Sequence, residues 1–193
     1  VIRLDLPDSH IEYAPALFAP ADADRWFRDL DETVIWRQDQ ITMFGTTSPV
    51  PRLTAWFGDA GCTYTYSRIT LQPEPWIEPL LEINEHVERA ARAAFNSVLV
   101  NLYRDGRDGN AWHSDDEPEL GSEPVIASVS LGGTRKFQLR NKADRSMRHD
   151  LDLEHGSLLV MRGPTQRCWS HQIPKTARLV EPRINLTFRT IIR

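Results

Sequence analysis

The chain has 193 residues, 40% of them hydrophobic and 26% charged, with a formal net charge of -4. That suits one domain with a genuine core and excludes the disordered class. No run approaches the ~18–20 apolar residues of a membrane helix, and two cysteines, Cys62 and Cys168, make neither a disulfide framework nor a CxxC zinc site.

Charge is distributed unevenly. Residues 134–193 hold 13 Lys and Arg against 5 Asp and Glu, so a basic face on an acidic chain is expected. Cysteine usage fits a reducing setting, cytoplasmic or nuclear rather than secreted, and Val1–Asp5 carries no signal pattern.

The first predicted element is a helix over about Ala21–Leu30, introduced by Pro20, with Asp22 and Asp24 in the turn where acids suit the dipole. A second helix is predicted over Trp76–Phe95, because Ile77, Leu80, Leu81, Val87, Ala91, Ala94 and Phe95 share one apolar face. From there the pattern turns to short strands: Ser97–Tyr103, Val125–Leu131, Lys136–Arg140, Met147–Leu153, Ser157–Met161 and Arg183–Ile191. Turn signals separate them, among them Asp105-Gly106, Asp108-Gly109, Gly132-Gly133, His155-Gly156 and Gly163-Pro164. Helices followed by many short strands predict an α+β, mostly β chain with a sandwich or jelly-roll barrel.

Two motifs carry chemistry. In an extended chain, His113 and Asp115 of His113-Ser114-Asp115 point to one side. One further ligand would complete the two-histidine, one-carboxylate triad of non-heme iron oxygenases, which leaves metal positions open. Alone, such a pair is more often a surface turn. His10, His86, His149, His155 and His171 are the candidates for the further ligand, and spacing does not choose among them. The second motif is Arg183-Ile184-Asn185-Leu186-Thr187-Phe188-Arg189. As a strand it alternates polar and apolar, which ordinarily means a half-solvated edge. Lining a barrel instead, its two arginines need anionic partners, and a dicarboxylate offers one carboxylate to each.

Asn101-Leu102-Tyr103, His113-Ser114-Asp115-Asp116-Glu117, Trp169-Ser170-His171 and Arg183–Arg189 occur in consistent order. Pro51-Arg52-Leu53-Thr54-Ala55-Trp56 and Tyr64-Thr65-Tyr66-Ser67 precede them. Over residues 36–193 the set resembles the AlkB family of 2-oxoglutarate-dependent dioxygenases, in particular its homologues that repair DNA and RNA. The resemblance implies a jelly-roll double-stranded β-helix core over residues 97–193 of one domain. Residues 1–96 would hold helices packed on that core and the nucleotide-recognition region. It implies that His113, Asp115 and His171 bind Fe(II), that Asn101 and Tyr103 hydrogen-bond 2-oxoglutarate, and that Arg183 and Arg189, supported by Asn185, take its carboxylates in either order, with O2 as the third reactant.

On the substrate side the resemblance implies that Tyr66 stacks on an extruded base, Tyr64 bonds nearby, and Glu117 accepts from the exocyclic amino group; Arg52 belongs to the same side. Met43 and Phe44 resemble a wedge that holds a duplex open, although a plain core strand explains them equally. The implied activity is oxidative demethylation of 1-methyladenine and 3-methylcytosine in DNA or RNA by a monomer that does not engage membranes. The alternative expectation is a hydroxylase of a protein or small molecule on the same iron core.

Overall fold

The computed structural model describes residues 1–43, 46–66 and 69–192, apart from the side chains of residues 41–43, 46, 64–66 and 69–71. The N-terminal part runs β1 (Ile2–Leu4), β2 (His10–Ala14), α1 (Pro20–Thr33), β3 (Gln40–Met43), β4 (Thr46–Pro49), β5 (Leu53–Gly58), β6 (Tyr64–Tyr66), β7 (Ile69–Leu71) and α2 (Glu78–Ala91). Then follow β8 (Ser97–Tyr103), β9 (Asn110–His113), β10 (Ile126–Gly132), β11 (Arg135–Asn141), β12 (Arg148–Leu153) and β13 (Ser157–Arg162). A short α3 (Thr165–Cys168), β14 (Trp169–Ile173) and β15 (Arg183–Arg189) close the chain.

Two antiparallel sheets dominate this mostly β chain. The larger has the order β1-β2-β13-β10-β15-β8-β5, and the smaller β12-β11-β14-β9. Period-2 alternation gives each strand of the large sheet two different faces. Val98, Val100 and Leu102 of β8, Ala127, Val129 and Leu131 of β10, and Ile184, Leu186 and Phe188 of β15 all enter one apolar cluster with residues of α1 and α2. The opposite face meets the small sheet, where Ile126, Leu159 and Met161 pack with Phe137, Leu139, Leu153 and Trp169.

Both helices form for the reasons the sequence offered. α1 starts with Pro at its first positions and buries Ala23, Trp26 and Leu30. α2 buries Leu80, Ile83, Val87 and Ala91 on one stripe. Arg25 grips Glu82 with two bonds, 3.0 and 2.7 Å, and Trp26 Nε1 donates to the same carboxylate at 3.0 Å, clamping the helices together.

The second helix is shorter than predicted at both ends. Ile77 is extended and serves as N-cap, while Arg92 turns left-handed at φ 49°. The Phe95 N–H is taken by the Glu88 carboxylate at 2.8 Å, which holds the chain out of the helix, and Phe95 still reaches the core. β1 to β7, β9 and β14 lie outside the predicted strands, and all but the six-residue β5 have five residues or fewer, too few for a periodic signal. Among the described residues no helix is long and apolar enough to cross a membrane.

Candidate active site

Between the sheets, the small sheet brings two distant histidines together. β14 pairs with β9 so that His171 lies opposite His113. Asp115 follows just beyond the end of β9, and the ligand atoms of His113, Asp115 and His171 all lie within 4.8 Å of one another. His171 Nε2 is 3.5 Å from Asp115 Oδ2, and the two imidazole centroids are 4.3 Å apart. Phe137 stacks on His171 at 5.2 Å, fixing its plane.

The electrostatics suit a cation. His113 lies 2.7 Å from the Ala111 carbonyl through Nδ1. A carbonyl only accepts, so Nδ1 carries the proton and Nε2 presents its lone pair. Burial, then the neighbouring His171, pushes the His113 pKa down to about 4, which keeps this imidazole neutral at physiological pH. For Asp115, burial works to raise the pKa, but Arg189 and then His171 outweigh it and hold the carboxyl below its ordinary value. The Asp115 N–H donates to Gln166 Oε1 at 3.0 Å, fixing the backbone that aims the carboxylate.

A cavity of about 50 Å³ adjoins this triad, bordered also by Asn101, Tyr103, Arg183, Asn185 and Arg189. Arg183 is 1% exposed. Its Nη2 donates to Ser130 Oγ at 2.8 Å, while Nε and Nη1 have no hydrogen-bond partner among the described residues. Arg189 meets Asp115 Oδ1 at 3.1 Å, and its Nε likewise finds none among them. Burial lowers the Arg183 pKa to about 10, so it remains a cation at neutral pH. Guanidinium nitrogens buried without acceptors are costly, and an anionic ligand would satisfy them. Asn185 is fixed by Ser128 Oγ at 2.8 Å and the Val129 carbonyl at 3.0 Å.

The description "2OG-Fe(II) oxygenase superfamily" matches residues 10–189. Alpha-ketoglutarate-dependent dioxygenase alkB homolog 3 of Mus musculus is 45% identical over 179 residues, covering 88% of this chain and 62% of its own length. DNA oxidative demethylase ALKBH2 of Homo sapiens is 42% identical over 186 residues, covering 91% of this chain and 71% of its own length. The chain belongs to the AlkB family of 2OG-Fe(II) oxygenases. The solved structure of OsALKBH1, at 20% identity, shares the fold with a TM-score of 0.67, covering 93% of this chain and 97% of that one. The chain spans 60–66% of the length of the alkB homolog 3 relatives from mouse, cow and rat.

Against this AlkB frame, the eight residues expected at metal and cosubstrate all line one cavity: His113, Asp115, His171, Asn101, Tyr103, Arg183, Asn185 and Arg189. Arg52 reaches it indirectly, donating to Asn101 Oδ1 at 2.8 Å and Asn110 Oδ1 at 3.1 Å. Glu117, two residues after Asp115, stands at the N-terminal end of the 3-10 turn Pro118–Leu120 without a side-chain cap and does not line the cavity. Tyr64 and Tyr66 lie on β6, paired with Leu71 and Ile69, and Met43 lies on β3 opposite Thr46. The side chains of these three residues, and all of Phe44, lie outside the described residues.

The other histidines are elsewhere. His155 accepts from the Gly132 N–H at 2.8 Å, His149 sits on β12 opposite Leu139, and His86 packs on Phe18 and Trp26. Sequence reasoning missed Gln166, Ser130 and Arg135. Ser128 and Ser130 did carry a signal, polar alternation inside an apolar strand, whereas Gln166 on a four-residue helix had none.

Proposed function

We propose that this chain is an Fe(II)- and 2-oxoglutarate-dependent dioxygenase that removes alkyl groups oxidatively from nucleobases of DNA or RNA, 1-methyladenine and 3-methylcytosine in particular. The observation that carries it is the pairing of the His113/Asp115/His171 cluster with a buried Arg183 and a half-buried Arg189 that still have nitrogens to offer. The names of the relatives, a dioxygenase dependent on alpha-ketoglutarate and a DNA oxidative demethylase, support the reaction and the substrate class.

In this reading His113 Nε2, Asp115 and His171 hold the iron. Bound iron with 2-oxoglutarate and O2 would supply the oxidation that hydroxylates an N-alkyl carbon, releasing succinate and CO2, after which the hemiaminal collapses to formaldehyde and the restored base. Arg189 sits beside Asp115, so it serves the carboxylate at the metal end, and Arg183 takes the remote one. Asn101 and Tyr103 border the same space from β8 and orient the cosubstrate. Packing by Phe137, Ile126, Leu153 and Met161 excludes water from the chemistry. Arg52 fixes Asn101 to Asn110 and so ties the cosubstrate strand to the metal strand.

Both lesions carry the methyl on the pairing edge, so the base must leave the helix or already be unpaired. Tyr64 and Tyr66 would stack on and bond to it, and Glu117, two residues past Asp115, would accept from its amino group. Met43 and Phe44 would then be the wedge.

The fold follows the same reading. The strands β8 to β15 cross from one sheet to the other at every step but the β11–β12 hairpin, in the manner of a jelly roll, the four large-sheet members β13-β10-β15-β8 facing the four small-sheet members β12-β11-β14-β9, which supports a double-stranded β-helix core in one domain. The helices of residues 1–96 brace its outer face.

The test is side by side. Purified protein with Fe(II) and 2-oxoglutarate is offered single-stranded DNA, duplex DNA and RNA carrying one lesion, and formaldehyde and the restored base are measured. Product from at least one polymer is expected. Succinate formation stimulated by a peptide or small molecule, with no formaldehyde from any of the three, would sink the nucleobase assignment.

A further inference from the structure

A second buried arginine stands behind the cosubstrate end of the cavity, and the reaction as described gives it no task. Arg135 opens β11 and is 3% exposed. It donates to three backbone carbonyls: Asp105 at 3.2 Å, Asp108 at 2.8 Å and Pro174 at 2.9 Å. The acids of that loop are already engaged. Arg104 takes the Asp108 carboxylate at 2.7 and 2.9 Å, and Arg107 takes that of Asp105 at 3.1 and 2.7 Å. Arg135 therefore receives carbonyl dipoles from this loop, and feels its two acids only at a distance. Among the described residues, neither Arg135 nor Arg183 has a carboxylate within ion-pair distance.

The two cations share one aromatic ring. Arg135 Cζ lies 5.6 Å from the Tyr103 ring centroid, and Arg183 Cζ lies 5.3 Å from the same centroid. Arrangements of this kind gain from the ring's quadrupole, and more when desolvated. Ring stacking does not neutralise charge, so this end of the cavity carries two buried positive charges, and the buried carboxylate nearby, that of Asp108, is spent on Arg104. At low effective dielectric their field reaches well beyond contact distance.

We propose that Arg135 is a positioning and specificity residue for the cosubstrate: it fixes the Tyr103 ring and adds charge behind Arg183, so that the remote end of the cavity selects 2-oxo acids with a second carboxylate over those without one. The inference rests on the proposed cosubstrate role of Arg183. It assigns to Arg135 no contact with the ligand. It also explains why the loop from Arg104 to Gly109 packs so closely. A Cβ on Gly106 would come within 2.3 Å of the Thr176 carbonyl, and one on Gly109 within 2.7 Å of the Ile173 carbonyl. That approach brings the Asp105, Asp108 and Pro174 carbonyls to one guanidinium.

The test is calorimetric and needs no turnover. Mn(II)-loaded protein is titrated with 2-oxoglutarate and with 2-oxopentanoate, which replaces the remote carboxylate by a methyl group. Arg135→Gln keeps amide donors for the carbonyls but loses the charge. Its affinity for 2-oxoglutarate is expected to fall about tenfold, while that for 2-oxopentanoate moves by less than about twofold. Arg135→Lys keeps the charge with a poorer fork; it is expected to lower the melting temperature yet keep the preference within about threefold. Equal loss of both ligands in Arg135→Gln, or an unchanged preference, overturns the proposal. If the glutamine variant does not fold, a folded lysine variant without the preference overturns it, and one that keeps the preference supports it. Arg183→Met reports separately: if it binds 2-oxoglutarate as the parent does, the underlying cosubstrate reading fails, whatever Arg135 does.

Discussion

The two faces of β15 are buried almost equally and could hardly differ more in what they accomplish. Ile184, Leu186 and Phe188 are fully buried between sheet and helices, complete in themselves. Arg183, Asn185, Thr187 and Arg189 face the cavity and are incomplete, with guanidinium nitrogens lacking acceptors. One strand thus joins a face that holds the chain together to the face proposed to bind the cosubstrate. Stability and binding should separate cleanly along this line, and substitutions can test how cleanly.

The largest effect is expected at the triad. Asp115→Ala should weaken Mn(II) binding more than ~100-fold, beyond what loss of a supporting residue does, and reduce turnover to background. Calorimetry and a formaldehyde assay read this, and near-native metal affinity would contradict the assignment. On the apolar face, Leu186→Ala should cost about 2–5 kcal/mol in urea unfolding. Its folded form should bind 2-oxoglutarate within about twofold of the parent.

The polar face should behave inversely. Ser130→Ala removes the hydroxyl that holds Arg183 Nη2, so 2-oxoglutarate affinity should fall about tenfold, while the nitrogen left without its acceptor costs about 1–3 kcal/mol of stability. A large stability loss without a binding loss would blur the two faces.

The smallest effect lies outside both. Glu82 is held at about 2, below its ordinary 4.5, by the hydrogen bond from Arg25 and then that from Trp26. Its folded pKa is depressed, so its contribution is complete above pH 4.5 and is lost as pH falls toward 2. Because the pair is partly solvated, the change is modest. Urea midpoints of Glu82→Gln should fall less steeply than those of the parent across that window. Parallel slopes would deny the helix clamp any role there.

How much of this could be read from the chain depended on whether the signal was local. The helices showed in their apolar stripes, and β8, β10 and β15 in their alternation. The pair His113 and Asp115 showed in its spacing, but His171 did not, because what joins it to His113 is pairing between strands far apart in sequence. Family resemblance, rather than spacing, selected it. The alternation of β15 looked like an ordinary half-solvated strand, since hydropathy does not say whether a polar face meets water or a cavity. Arg135 stayed hidden for a similar reason. After a Gly-Gly turn it reads as a charged strand end, and only the folded loop of Arg104 to Gly109 closes over it.

The β9–β14 ladder shifts register between His171 and Ile173. Its two histidines face each other only if the irregularity falls where it does, because a slip of one residue would turn one imidazole out of the sandwich. In the proposed metal-binding role a mispaired ladder would have no chelate to close, so a divalent ion added during refolding should enrich the correctly threaded form.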